Sequence, residues 1–145
     1  MIALLQRVSN ASVVIDNIKI ADANAGVLVF LAVQKQDTEK TAEQMQQLIL
    51  SYRMFADDND KMNKNVCETQ GDILLVPQFT LAADTTKGLR PNFSSAATPD
   101  HAKRLFDYFL DILKAEYARV SAGKLAADMQ VHLVNDGPVT FWLEI

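Results

Sequence analysis

The sequence is poor in the residues on which many functions depend. One cysteine, Cys67, excludes an internal disulfide and any CxxC redox or metal motif. There are 2 histidines, and neither His101 nor His132 has a partner at zinc-helix or CxxC spacing, so no metal is expected. No GxSxG elbow and no glycine-rich phosphate loop occurs, and no cofactor is expected. No apolar run approaches the roughly 20 residues of a membrane span. Met1-Ile2-Ala3-Leu4-Leu5 runs at once into Gln6 and Arg7, without a basic leader or cleavage site. A soluble, cytoplasmic protein with no membrane partner is therefore expected. Basic residues are outnumbered, 14 against 18 acidic, for a net charge of −4. That balance argues against gripping long stretches of phosphate backbone, DNA included. It leaves room for a single-stranded RNA end, where stacking and hydrogen bonds carry more of the recognition.

What is present reads as one globular domain over residues 1–145, with 49% hydrophobic residues and no repeat or linker. Met1 to Ile15 is rich in β-branched residues and alternates imperfectly. Asp16-Asn17 is a turn signal before a return strand at Ile18 to Ile20. Val27 to Val33 is continuously apolar, as a strand buried on both faces should be. Helical periodicity runs from about Glu39 to Phe55, with Asp37 or Thr38 placed to cap it. A second helix starts at Thr98-Pro99, with proline where a missing N–H costs nothing. Its face is Ala102, Leu105, Phe106, Phe109, Leu113 and Tyr117. A strand at Asp72 to Gln78 and a loop from Ala82 to Ala97 lie between the helices. The pattern ends in two alternating strands, joined by Asn135-Asp136-Gly137-Pro138 read as a tight turn. The expected fold is mixed α/β (α+β), a curved, mostly antiparallel, barrel-like sheet backed by two long helices.

Two segments invite a chemical reading. Gln78-Phe79-Thr80-Leu81 follows an apolar strand, and a strand end opening into a long loop can present backbone N–H groups to a developing oxyanion. The plain alternative is an ordinary strand end. In Asn135-Asp136-Gly137-Pro138-Val139-Thr140, glycine permits close approach of another molecule and proline fixes φ. Such a turn can hold carbonyl oxygens rigidly, although a simple hairpin tip accounts for it equally.

In this order and spacing, the two segments resemble the paired signatures of the bacterial D-aminoacyl-tRNA deacylase (D-tyrosyl-tRNA(Tyr) deacylase) family. The similarity extends to Met1–Val8, Tyr52-Arg53-Met54-Phe55, Lys61-Met62-Asn63, Lys87–Phe93 and Ala126–Val131, essentially the whole chain. The resemblance implies hydrolysis of the ester of D-aminoacyl-tRNA, and of glycyl-tRNA mischarged on tRNA(Ala), by a homodimer whose partner is the aminoacylated 3′ end. It implies a cis Gly137-Pro138 bond, reaching across the dimer to reject L-substrates. Gln78, Phe79 and Thr80 are then the catalytic pocket, with Phe79 supplying its N–H and Thr80 the favoured nucleophile of the family. Met129 lines the adenine pocket and Arg7 holds the Gly137-Pro138 turn. Because Thr80 has no histidine or lysine partner in the sequence, we expect water as the attacker instead. Lys87 and Arg90 are candidates for phosphate contacts, with a solvated loop that makes no RNA contact as the equal alternative. The family usually carries serine where this chain has Pro77, so any hydrogen bond of that serine is absent here. Readings from other classes are a non-catalytic dimeric module that holds an RNA end or nucleotide, and a general Thr80-dependent esterase.

Overall fold

A computed structural model describes all residues, 1–145. The first strand, β1 (Ile2–Ile15), organises the sheet because it is long enough to serve several partners. Asp16 and Asn17, both with positive φ, turn the chain into β2 (Ile18–Ala23), which pairs antiparallel with the distal half of β1. The proximal half pairs with β3 (Gly26–Ala32) on the same edge. Gly26 is required where β3 begins, because a Cβ there would lie 1.9 Å from the Asp72 carbonyl oxygen.

After β3 comes α1 (Glu39–Ser51), capped by Thr38 in a reciprocal box with Thr41. Asp37, the other candidate cap, is otherwise occupied. Its carboxylate accepts from the Met1 α-ammonium and from the Gln34 N–H, both at 2.6 Å. The helix does not continue to Phe55 as its periodicity suggests. Tyr52 is already extended, and Phe55 lies in β4 (Phe55–Ala56), which pairs with β5 (Met62–Lys64). Both aromatics remain apolar positions because Tyr52 packs edge-on against Phe141, ring centroids 5.0 Å apart. β6 (Asp72–Pro77) then runs parallel to β3, ending one residue before the expected Gln78. A 3-10 turn, Phe79–Ala82, follows at once. The second helix, α2 (Pro99–Glu116), starts where expected, although the Thr98 side chain makes no capping bond. Its end leads to a short strand without a sequence signal, β7 (Val120–Ala122), parallel to β6.

The C-terminus overturns one expectation. Asn135–Pro138 is not the tip of a hairpin. Residues Gln130–Glu144 form one strand, β8, antiparallel to β1 along nearly its whole length. Between the pairs Val8↔Asn135 and Gln6↔Thr140, β1 spends only Arg7 while β8 spends Asp136 to Val139. The segment is a large bulge, its extra residues thrown out of the ladder. Continuous pairing on both sides outweighs the local turn signal.

The sheet order is β2-β1-β3-β6-β7, with β8 on the other edge of β1. It curls until β7 returns towards β2, where Ser121 Oγ donates to the Asp22 carbonyl at 2.6 Å, and the barrel is nearly closed. Alternation then sorts the core. Ala3, Leu5, Val27, Val29, Leu31, Ile73 and Leu75 face α1 and α2, meeting Met45, Ile49, Phe106 and Phe109. Val8, Val13, Leu28, Leu74 and Val76 fill the inside of the curl. No helix is long and apolar enough to cross a membrane.

Candidate active site

Where β6 ends, Pro77 cannot donate to a ladder and the chain tightens into the 3-10 turn. In such a turn the first N–H groups have no acceptor inside the helix. That of Leu81 is taken by the Gln78 carbonyl at 3.2 Å, which leaves Phe79 and Thr80 as the donors at the open end. The Phe79 ring is 60% exposed and leans on Phe93, ring centroids 5.2 Å apart. Gln78 Nε2 donates to Thr80 Oγ1 at 2.5 Å.

Beside this turn lies a cleft of about 260 Å³. One wall is Val76, Pro77, Gln78 and Phe79; the other is Leu125 to Met129, with Val131. The second wall is a tight segment, Ala126 having a positive φ of 61°. Three sequence candidates, Gln78, Phe79 and Met129, thus meet in one cleft, and Thr80 adjoins it through Gln78. The Leu125–Asp128 wall was missed as a lining element, because small apolar residues without periodicity give no signal of their own. Neither histidine lines the cleft. His101 lies at the start of α2 against the Asp37 carbonyl, and His132 stands on β8 opposite Ser12. No group of three or more acidic, histidine or cysteine residues is placed to hold a metal.

The other candidates form a second cluster. Arg7 donates through Nε to the Asp136 carbonyl at 3.2 Å and through its guanidinium to the Met54 carbonyl at 2.9 Å. Its Nε also lies 3.3 Å from the Asp136 carboxylate. The Asn135 side chain closes the bulge from inside, accepting from the Val139 N–H at 3.1 Å and donating to Thr140 Oγ1 at 3.0 Å. Val139 is buried in the core and anchors the far end. Between these ties Gly137 and Pro138 stand exposed, joined by a cis peptide bond. Gly137 has φ +129°, and a Cβ there would come within 2.9 Å of the Arg7 guanidinium.

The two clusters do not meet within one chain. Gln78 N–H bonds to the Leu31 carbonyl, and Leu31 pairs with Ala3, whereas the bulge sits opposite Arg7. From Ala3 to Arg7 along β1 is roughly 14 Å at about 3.4 Å per residue, and β1 and β3 separate β8 from β6 across the sheet. Lys87 and Arg90 are exposed in the loop pinned by the bridge between Asp84 and Asn92.

The chain is similar along its whole length to known proteins. The family model described as D-Tyr-tRNA(Tyr) deacylase matches residues 4–144. A D-aminoacyl-tRNA deacylase of Janthinobacterium sp. is 52% identical over 145 residues, covering 100% of this chain and 97% of the relative. One from Haemophilus influenzae is 53% identical, with 100% of each covered. Among solved structures, a c-Myc DNA unwinding element binding protein superposes with a TM-score of 0.96 at 39% identity, covering 100% of this chain and 99% of the other. A probable eukaryotic D-amino acid tRNA deacylase shares the fold at a TM-score of 0.88 and 17% identity, over 99% and 98% of the two chains. With both signatures in place and the similarity running from end to end, this chain belongs to the D-Tyr-tRNA(Tyr) deacylase family.

Proposed function

We propose that this protein hydrolyses the ester bond of D-aminoacyl-tRNA in the cytosol, releasing D-amino acid and tRNA. The cleft between Gln78-Phe79 and Met129 takes the terminal adenosine. Its volume lies just under the range of roughly 300–1,000 Å³ usual for whole ligand sites, which suits one nucleoside held while the rest of the RNA stays outside. Holding only that end reconciles an acidic protein with an RNA substrate. The ester carbonyl then lies over the open end of the 3-10 turn, where the Phe79 and Thr80 N–H groups steady the oxyanion. Water attacks, oriented by the neighbouring ribose hydroxyl. Thr80 positions, because its side-chain partner is the Gln78 amide, which donates to the hydroxyl and cannot take its proton.

The observation that carries this reading furthest is the separation of the two clusters. The exposed Gly137-Pro138 carbonyls lie too far from Phe79 to serve their own chain's cleft. They serve a second copy, so that a homodimer forms each site from both chains. The sheet surface favours such a dimer. Phe30 pairs with Leu4 and Leu4 with Trp142, while their neighbours face the helices. These three residues therefore share the face on which the cleft opens, with buried Val76 of the cleft wall beside Phe30, and Trp142 is left 50% exposed there. A copy seated on that apolar row brings its bulge to the cleft.

Chirality follows from shape. Rejecting L-substrates ten-thousandfold takes about 5.5 kcal/mol. A rigid obstruction supplies that more readily than added contacts to a D side chain. Carbonyls pressed against the substrate Cα leave no room for an L side chain and direct a D side chain into open space. Glycine, lacking a side chain, passes, and glycyl-tRNA mischarged on tRNA(Ala) is a second substrate. The test is amino acid release from tRNAs charged with several chemically different D-residues and with glycine. All are cleaved if the side chain points outward; cleavage of a single D-residue, or binding without release, contradicts the reading.

A further inference from the structure

We propose that Gly123 is a positioning residue, one that pins the Met129 thioether as a fixed wall of the cleft. The inference rests on the reading of that cleft as the nucleoside site and adds a residue to it. Methionine makes a poor wall by itself: three rotatable bonds let its thioether wander. Here the sulfur lies against one short stretch of backbone, Gly123-Lys124, and touches it at two atoms. The Lys124 N–H donates to Met129 Sδ at 3.4 Å, a weak but directional contact. Next to that N–H the sulfur lies so close to the Gly123 α-carbon that an ideal Cβ there would be 2.8 Å away. Gly123 is itself fixed, because its N–H donates to the Leu75 carbonyl of β6 at 2.8 Å. The glycine therefore provides a slot, registered on the sheet, into which one methionine rotamer fits.

The same geometry says what a methyl group does. The next atoms around that Cβ are Pro77 Cδ at 3.6 Å and Met129 Cε at 3.7 Å, both ordinary contacts. Gly123 has no positive φ to strain. The sole severe overlap is with the middle of a flexible side chain, so Gly123→Ala leaves the fold intact and expels Met129 from its slot. The displaced thioether swings within a cleft lined by Pro77 and Phe79 on the facing wall.

The experiment is a double-mutant cycle of Gly123→Ala and Met129→Ala, with methyl-labelled methionine and AMP as the probe ligand. In Gly123→Ala the Met129 methyl resonance moves or broadens, AMP binds about fivefold or more weakly, and KM for D-tyrosyl-tRNA rises while kcat holds. In the Met129→Ala background the slot is empty, and adding Gly123→Ala changes AMP affinity by less than about twofold. An unmoved Met129 methyl in Gly123→Ala, or equal weakening of AMP in both backgrounds, overturns the proposal. If the unaltered protein fails to bind AMP, the nucleoside reading of the cleft fails, while the methyl resonance still decides whether Gly123 holds Met129.

Discussion

The Thr80 hydroxyl accepts from the Gln78 amide, and no histidine, lysine or carboxylate shares that contact. An alcohol without a base to take its proton is a weak nucleophile. Thr80→Ala is accordingly expected to keep kcat within about tenfold of the parent, the loss of one positioning contact rather than of the chemistry. A fall of several orders of magnitude with tRNA binding retained would make Thr80 the nucleophile after all. Gly137 carries the opposite expectation. At φ +129° an alanine is strained by about 1–3 kcal/mol, and its methyl collides with the Arg7 guanidinium that holds the bulge. Gly137→Ala should lower kcat/KM for D-tyrosyl-tRNA by about 10–100-fold, with AMP affinity unchanged because the cleft is untouched. At this scale the sequence marked Gln78, Phe79, Met129 and Arg7, each through a motif. It left Gly123 unmarked, since a lone glycine announces neither what presses on it nor why.

Elements were legible where local rules agree with long-range pairing. Thr98-Pro99 opens α2, Asp16-Asn17 turns β1 into β2, and the unbroken apolar run of β3 is buried as expected. They were illegible where a partner overrides local signals. β8 passes through a Gly-Pro turn signal because β1 pairs with it on both sides. The helical period extends to Phe55 in the sequence because Tyr52 and Phe55, half-buried against the core, sit in non-helical backbone. Asp72 joins three elements at one end of the barrel: it accepts from the Asn24 backbone and side-chain amides at 2.8 and 3.1 Å, and pairs with Arg119 at 2.7 Å. Burial alone would raise its pKa, but the Asn24 hydrogen bonds and the Arg119 charge together outweigh it and hold the carboxyl below its usual range. A folded-state pKa below the unfolded one gives stability that is complete above the unfolded value and is lost as pH falls through the folded one. The melting-temperature advantage of the parent over Asp72→Asn should therefore be full at neutral pH and disappear in acid below about pH 4. A difference that stays constant across that range would show that the charge of Asp72 contributes nothing.

For the molecule as a whole, the nearly closed sheet buries one face under two helices and encloses much of the other in its curl. The strip from Phe30 to Trp142 remains, with the cleft beside its Phe30 end and the bulge displaced along the strands. The class of fold and the two signatures were readable from sequence because both are local patterns. That the signatures do not meet in one chain was implied by the family resemblance alone; no local pattern carries it, since it rests on the register of β1 against β3 and β8.

The discrimination we propose depends on a stiff stretch of main chain, lent in this proposal by a sister subunit, that lets one mirror image reach the cleft and stops the other. The most direct test compares kcat/KM for D-tyrosyl- and L-tyrosyl-tRNA on the same purified protein. The account predicts a ratio of about ten-thousandfold or more in favour of the D-ester. Comparable release of both would contradict it.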